Sequence, residues 1–127
     1  MQNMPLSVSM LPLFKQHVAE IIADSQSQYD RLIALKDKLH EWHDQKIENL
    51  IYIYRTQLDN VGLFREQVIR WRLESLTHEE QYTVEQFQNQ LDECEKVTYD
   101  VIKCVTKIRP HFTESFTSIM NNDRGVL

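Results

Sequence analysis

The chain has 127 residues and a formal net charge of −5, which suits one domain with its own core and disfavours nucleic acid or anionic lipid as a general partner. Only two glycines and three prolines occur, too few turn residues for a strand-rich fold. No run of about 18 apolar residues exists, so no segment is expected to span a membrane.

Residues 1–11, "MQNMPLSVSML", read as an apolar N-terminal arm. With no charged side chain before Lys15 the arm lacks the basic start of a secretory leader, and the expected setting is the cytoplasm. The expected domain covers residues 12–120, followed by a frayed tail at 121–127.

Helix one is expected over about 12–43. Val18, Leu32 and Leu39 share one seam position of a heptad, with Ser25 as its polar exception. Phe14, Ile21, Leu35 and Trp42 share the other, with Gln28 as the exception. Helix two is expected over about 46–75, in shifted phase, on Ile47, Tyr54, Val61, Val68, Leu50, Phe64 and Trp71. The one-residue phase slip marks the break, with Asp44 as its N-cap. Within this helix "LIYIY", residues 50–54, has strand-like composition, but helical periodicity flanks it on both sides. Five consecutive apolar residues there predict that the middle helix is the most buried.

Helix three is expected over about 78–109. Val84, Phe87, Leu91, Cys94, Thr98, Val101, Val105 and Ile108 keep unbroken three-four spacing. Thr77 and Glu80 form a capping-box pattern at its start. After Pro110 a short helix carries Phe112, Phe116, Ile119 and Met120 on one side. The expected fold is therefore all-α, an antiparallel bundle of three long amphipathic helices plus a short C-terminal helix. The alternative is a long two-helix hairpin, 13–60 and 63–109, turning at "DNVG" and dimerising to find a core.

Cys94 and Cys104 on one helix stand about 15 Å apart along its axis, too far to bridge, and are expected as free thiols. "LHEWHDQK", residues 39–46, carries the chain's densest histidine pattern. A helical i, i+3 pair such as His40 and His43 can share a metal ion, and Asp37 could add a ligand. Bundle di-metal centres use inward Glu-x-x-His pairs, and the chain has none. "HDQK" also resembles the motif of histidine phosphotransfer domains, acidic helical bundles with an exposed histidine followed three residues later by lysine. Here these are His43 and Lys46, although Ile47 stands where those domains place a small residue. The simpler reading gives His40 a solvated position and His43 a boundary position near a helix C-terminus. No metal or cofactor is expected.

"FREQVIRWRL" groups Arg65, Arg70 and Arg72 around Trp71, and a run of acids follows from Glu74 to Glu95. A hairpin at Leu76–Thr77 would set these arginines beside Glu80 and Glu85, leaving Asp92, Glu93 and Glu95 for a partner surface. Ile69, Leu73 and Leu76 form a second apolar stripe away from the seam of helix two. An exposed stripe of this kind is expected to be covered by the arm, by a second copy, or by that copy's arm. The function these features point to is a non-enzymatic protein–protein interaction module: an adaptor, a small acidic chaperone or an assembly subunit. It would be a homodimer binding a protein partner through Ile69, Leu73, Leu76, Asp92, Glu93 and Glu95. The alternative is a site-bearing bundle, metal-binding through His40 and His43 or phosphoryl-accepting at His43.

Overall fold

The computed structural model describes residues 6–107. Among these, three helices pack side by side: α1 (Leu11–Ala34), α2 (Asp44–Arg72) and α3 (His78–Thr106). A 3-10 turn at Val8–Met10 precedes α1, and another at Leu39–Glu41 joins α1 to α2. α1 and α3 run parallel, and α2 runs antiparallel to both. The expected three-helix bundle is present. The hairpin alternative is overturned, because α2 passes through Asp59–Gly62 without a break. The expected helix after Pro110 and the tail at 121–127 lie outside the described residues, as does Ile108.

α3 is the element best specified by local chemistry. The Thr77 hydroxyl accepts from the Glu80 N–H at 3.0 Å, and the Glu80 carboxylate accepts from the Thr77 N–H at 2.9 Å, completing the expected capping box. Glu79 and Glu80 in the first turn also favour the positive end of the helix dipole. Val84, Phe87, Leu91, Cys94, Thr98, Val101 and Val105 are all buried, as their spacing predicts.

The first helix ends nine residues before its expected limit of 43. From Leu35 the backbone closes into three-residue turns, with Lys38 N–H bonded to Leu35 at 2.7 Å and Trp42 N–H to Leu39 at 3.0 Å. Trp42 and His43 are extended, and His43 rather than Asp44 is the N-cap of α2. The segment must reverse the chain while still sending Leu39 into the core, where it is buried. Tight turns do this without glycine, and the heptad continues past the helix that began it. α2 likewise stops at Arg72, and Leu73–Thr77 forms the second connection.

The middle helix is not the most buried one. α3 packs along both of its neighbours, whereas the α1 and α2 backbones approach each other less closely. In "LIYIY" only Tyr54 is buried, and Tyr52 and Ile53 face outward at 61% and 55% exposure. Five apolar residues cover the whole circumference of a helix, but α2 has neighbours on only part of it.

The core falls into two clusters. One joins Leu11 and Val18 to Val61, Val68, Trp71, Val84, Phe87, Leu91 and Cys94, with Phe14, Phe64, Trp71 and Phe87 in successive ring contacts of 5.5–6.3 Å. The other joins Leu32 and Leu39 to Ile47, Tyr54, Val101, Ile102 and Val105. Between them lies a polar layer: the Gln57 amide donates to Ser25 at 2.9 Å and to Thr98 at 2.7 Å. The polar exception at Ser25 is thereby explained, since all three helices meet there through one side chain.

Candidate functional site

The histidine segment is spread over a turn. His40 lies in the 3-10 turn, exposed, with Nε2 3.9 Å from the Glu41 carboxylate. His43 is exposed at the N-terminus of α2, which corrects its expected boundary position near a helix C-terminus. The i, i+3 relation that would have aimed both rings at one ion requires a continuous helix, and the chain is not helical there. Lys46 stacks over the Trp42 ring with Nζ 4.0 Å from its centroid, a cation–π contact that gives this lysine a structural role. Among the described residues no group of three or more His, Cys, Asp or Glu is placed to hold a metal ion.

The acidic residues expected to face a partner are partly engaged. Arg65 reaches Asp92 at 2.9 Å and Glu95 at 3.0 Å, and the Arg72 guanidinium donates to Gln88 at 2.5 Å. The expected pairing with Glu80 and Glu85 is therefore displaced by about two turns along α3. Helical side chains lean toward the N-terminus of their own helix. Across an antiparallel pair the arginine and the acid lean toward each other, so each contacts a residue about one turn beyond the one opposite its own backbone. Glu93 stays exposed on the neighbouring face.

The apolar stripe on α2 divides as well. Leu76 packs half-buried against the first core cluster. Ile69, in the last turn of α2, is 60% exposed, and Leu73, its C-cap, is 84% exposed. The described part of the N-terminal arm, from Leu6 onward, docks elsewhere. Trp71 Nε1 donates to the Leu6 carbonyl at 2.8 Å. The Gln67 side-chain amide faces the same residue, donating to the Leu6 carbonyl and accepting from its N–H, each at 3.4 Å. Val8 packs against the first cluster behind it. Gln67 and Trp71 are both buried, and no sequence pattern marked them as a pair. The signal was a polar glutamine one turn before tryptophan on the side of α2 that must face α1.

Beside this contact a groove of about 320 Å³ runs between α1 and α2, lined by Leu6, His17, Ile21, Leu63, Phe64 and Arg70 among others. At the opposite end of the bundle a second groove holds Lys36, Lys103 and Lys107 around Cys104. The Cys104 thiol is nevertheless pushed above its ordinary value, because burial outweighs the neighbouring lysines. Cys94 is pushed up in the same direction, again chiefly by burial. Both are free thiols, and burial holds both toward the protonated, less reactive form.

Among the described residues no helix is long and apolar enough to cross a membrane. Comparison of the chain with protein-family models, curated proteins and solved structures finds no match.

Proposed function

We propose that this protein is a non-enzymatic protein–protein interaction module, an adaptor or assembly subunit that presents the outer face of α2, with a second copy of the chain as its first partner. The observation that carries this reading is the pair Ile69 and Leu73, one helical turn apart and largely exposed. Ile69 lies near the end of α2 and Leu73 caps it, on the side away from Val68 and Trp71, which enter the core. Apolar side chains grouped on an ordered face favour association, each contributing about 25 cal/mol per Å² removed from water. The arm's contact with Gln67 and Trp71 supports a second copy as the cover, because the described part of the arm is already occupied. Glu93, exposed midway along α3, would supply a polar contact to a protein partner at some distance from the stripe. Two unbridged thiols suit a reducing compartment, and we assign the protein to the cytoplasm on that ground.

Sedimentation at micromolar concentration tests the reading. The wild-type chain is expected to sediment as a dimer and Leu73→Glu as a folded monomer. A wild type that stays monomeric, or a Leu73→Glu variant that dimerises as well as the wild type, sinks it.

A further inference from the structure

The contact between the arm and α2 has the chemistry of peptide recognition. Most contacts that hold a terminal segment are between apolar side chains. Here two buried polar side chains, Gln67 and Trp71, address the main chain of a single residue. A glutamine amide carries one donor and one acceptor side by side, matching the N–H and C=O of one extended residue. The indole N–H adds a third bond to the same carbonyl. Main-chain bonds of this kind hold a segment whatever its sequence, and side-chain pockets then choose among sequences. The choosing element here is the half-buried seat occupied by Val8, two residues along and packed on the first core cluster.

The site is built to be filled. With the arm withdrawn, the Trp71 N–H and the Gln67 amide would lose their protein partner at the head of the groove, leaving an aligned set of donors and an acceptor for another main chain. The groove between α1 and α2 continues from this point past His17 and Leu63, further than the described arm extends. Leu6 itself is still 38% exposed, so the occupant is seated by its backbone more than by its side chain. A segment held in that way is exchangeable.

We infer that Gln67 and Trp71 form a backbone-reading clamp at the head of the α1–α2 groove, which binds a segment of a partner protein ahead of a helical turn and is occupied in the free chain by its own Leu6. The segment it fits is a peptide that is extended at the clamped residue and enters a helical turn two positions later, where it places an aliphatic residue. The cis arm acts as a competitor that the partner must displace. A short tether gives the arm an effective concentration in about the millimolar range, so a partner binds only when its own segment fits the groove better. This face of α2 points toward α1, away from Ile69 and Leu73, so the inference does not depend on dimerisation through that stripe.

The probe is a synthetic peptide of residues 1–10 of this chain, titrated into the isotopically labelled full-length protein while the indole N–H resonance of Trp71 is followed by NMR. In the variant Leu6→Asp/Val8→Asp, whose own arm is unseated, the resonance is expected to return toward its wild-type position in a saturable way. The wild type should respond about tenfold more weakly, as expected for a site occupied nine-tenths of the time. Adding Gln67→Ala to the variant should weaken binding several-fold. The inference is overturned if the variant shows no shift at about 1 mM peptide, the scale of the tethered arm, or if a peptide carrying Asp at both positions binds equally well. Should the variant not fold, the wild type decides alone. Excess unlabelled peptide should move the Leu6 amide of the labelled chain to a free-chain position, and an amide that stays in place at that excess rejects the clamp as an exchangeable site.

Discussion

The Gln57 amide and the Thr98 hydroxyl lie 2.7 Å apart, and that bond ties α2 to α3 at the boundary between the two halves of the core. The Thr98 hydroxyl passes the interaction on by donating to the Cys94 carbonyl at 2.6 Å, while the other Gln57 bond reaches Ser25 on α1. Heptad surfaces can slide past each other by whole turns at modest cost, because every turn offers similar apolar knobs. One polar layer with a single satisfactory alignment removes that freedom.

Truncating this layer should therefore cost more than replacing it. Gln57→Ala removes the amide that both Ser25 and Thr98 accept from and is expected to destabilise the protein by about 1–3 kcal/mol. Replacing all three members together, Ser25→Ala, Gln57→Leu and Thr98→Val, should keep stability within about 1 kcal/mol of wild type or raise it. Urea unfolding of the wild type and the two variants checks this. A triple variant less stable than Gln57→Ala would mean that the layer stabilises the fold outright.

Gly62 lies inside α2 with no positive φ, and a methyl group added there meets nothing within 4 Å. Glycine in such a place only adds disorder to the unfolded chain. Gly62→Ala is expected to stabilise the protein by about 0.5–1 kcal/mol. Thermal unfolding would register this as a higher midpoint, and an unchanged or lower one would point to a close neighbour of α2, such as a second copy, at that surface.

Burial raises the thiols of Cys94 and Cys104 above an ordinary 9.0, and the Tyr54 hydroxyl above an ordinary 10.0, in each case with desolvation as the leading cause. The unfolded chain ionises these groups first. Their neutral forms thus stabilise the fold fully below the unfolded values, and that stabilisation is lost as pH rises through the folded ones. The urea midpoint is expected to hold between about pH 7 and pH 8 and to fall above about pH 9 with unchanged slope. A flat midpoint to about pH 10.5 would contradict this.

His40 and His43 are exposed on a turn, and the core organised around Leu39 and Ile47 does not use them. The double variant His40→Ala/His43→Ala should unfold within about 0.5 kcal/mol of the wild type, the usual range for surface positions. A chelator should leave the melting curve in place. Unfolding by the chelator, or failure of the double variant to fold, would restore a structural metal.

The sequence by itself determined the three long helices and most of the residues they bury. Apolar spacing, a matter of which residues share a face, specified α3 and its buried set. The Thr77–Glu80 pair, joined across a single turn, specified where α3 begins. These signals are local, because they depend on residues within two turns of one another. Only the tertiary structure decided which face meets which. Leu39 belongs to the heptad of α1 yet lies beyond its last residue, because reversing the chain required tight turns between Leu35 and Trp42. Arg65 reaches Asp92 and Glu95 rather than the acids nearest the turn, because antiparallel side chains lean toward each other. Ser25, Gln57 and Thr98 were three unrelated polar residues until packing brought them together. Leu6 found Trp71 across a sequence separation of 65, where no periodic pattern operates and the partner is chosen by the buried N–H that needs an acceptor.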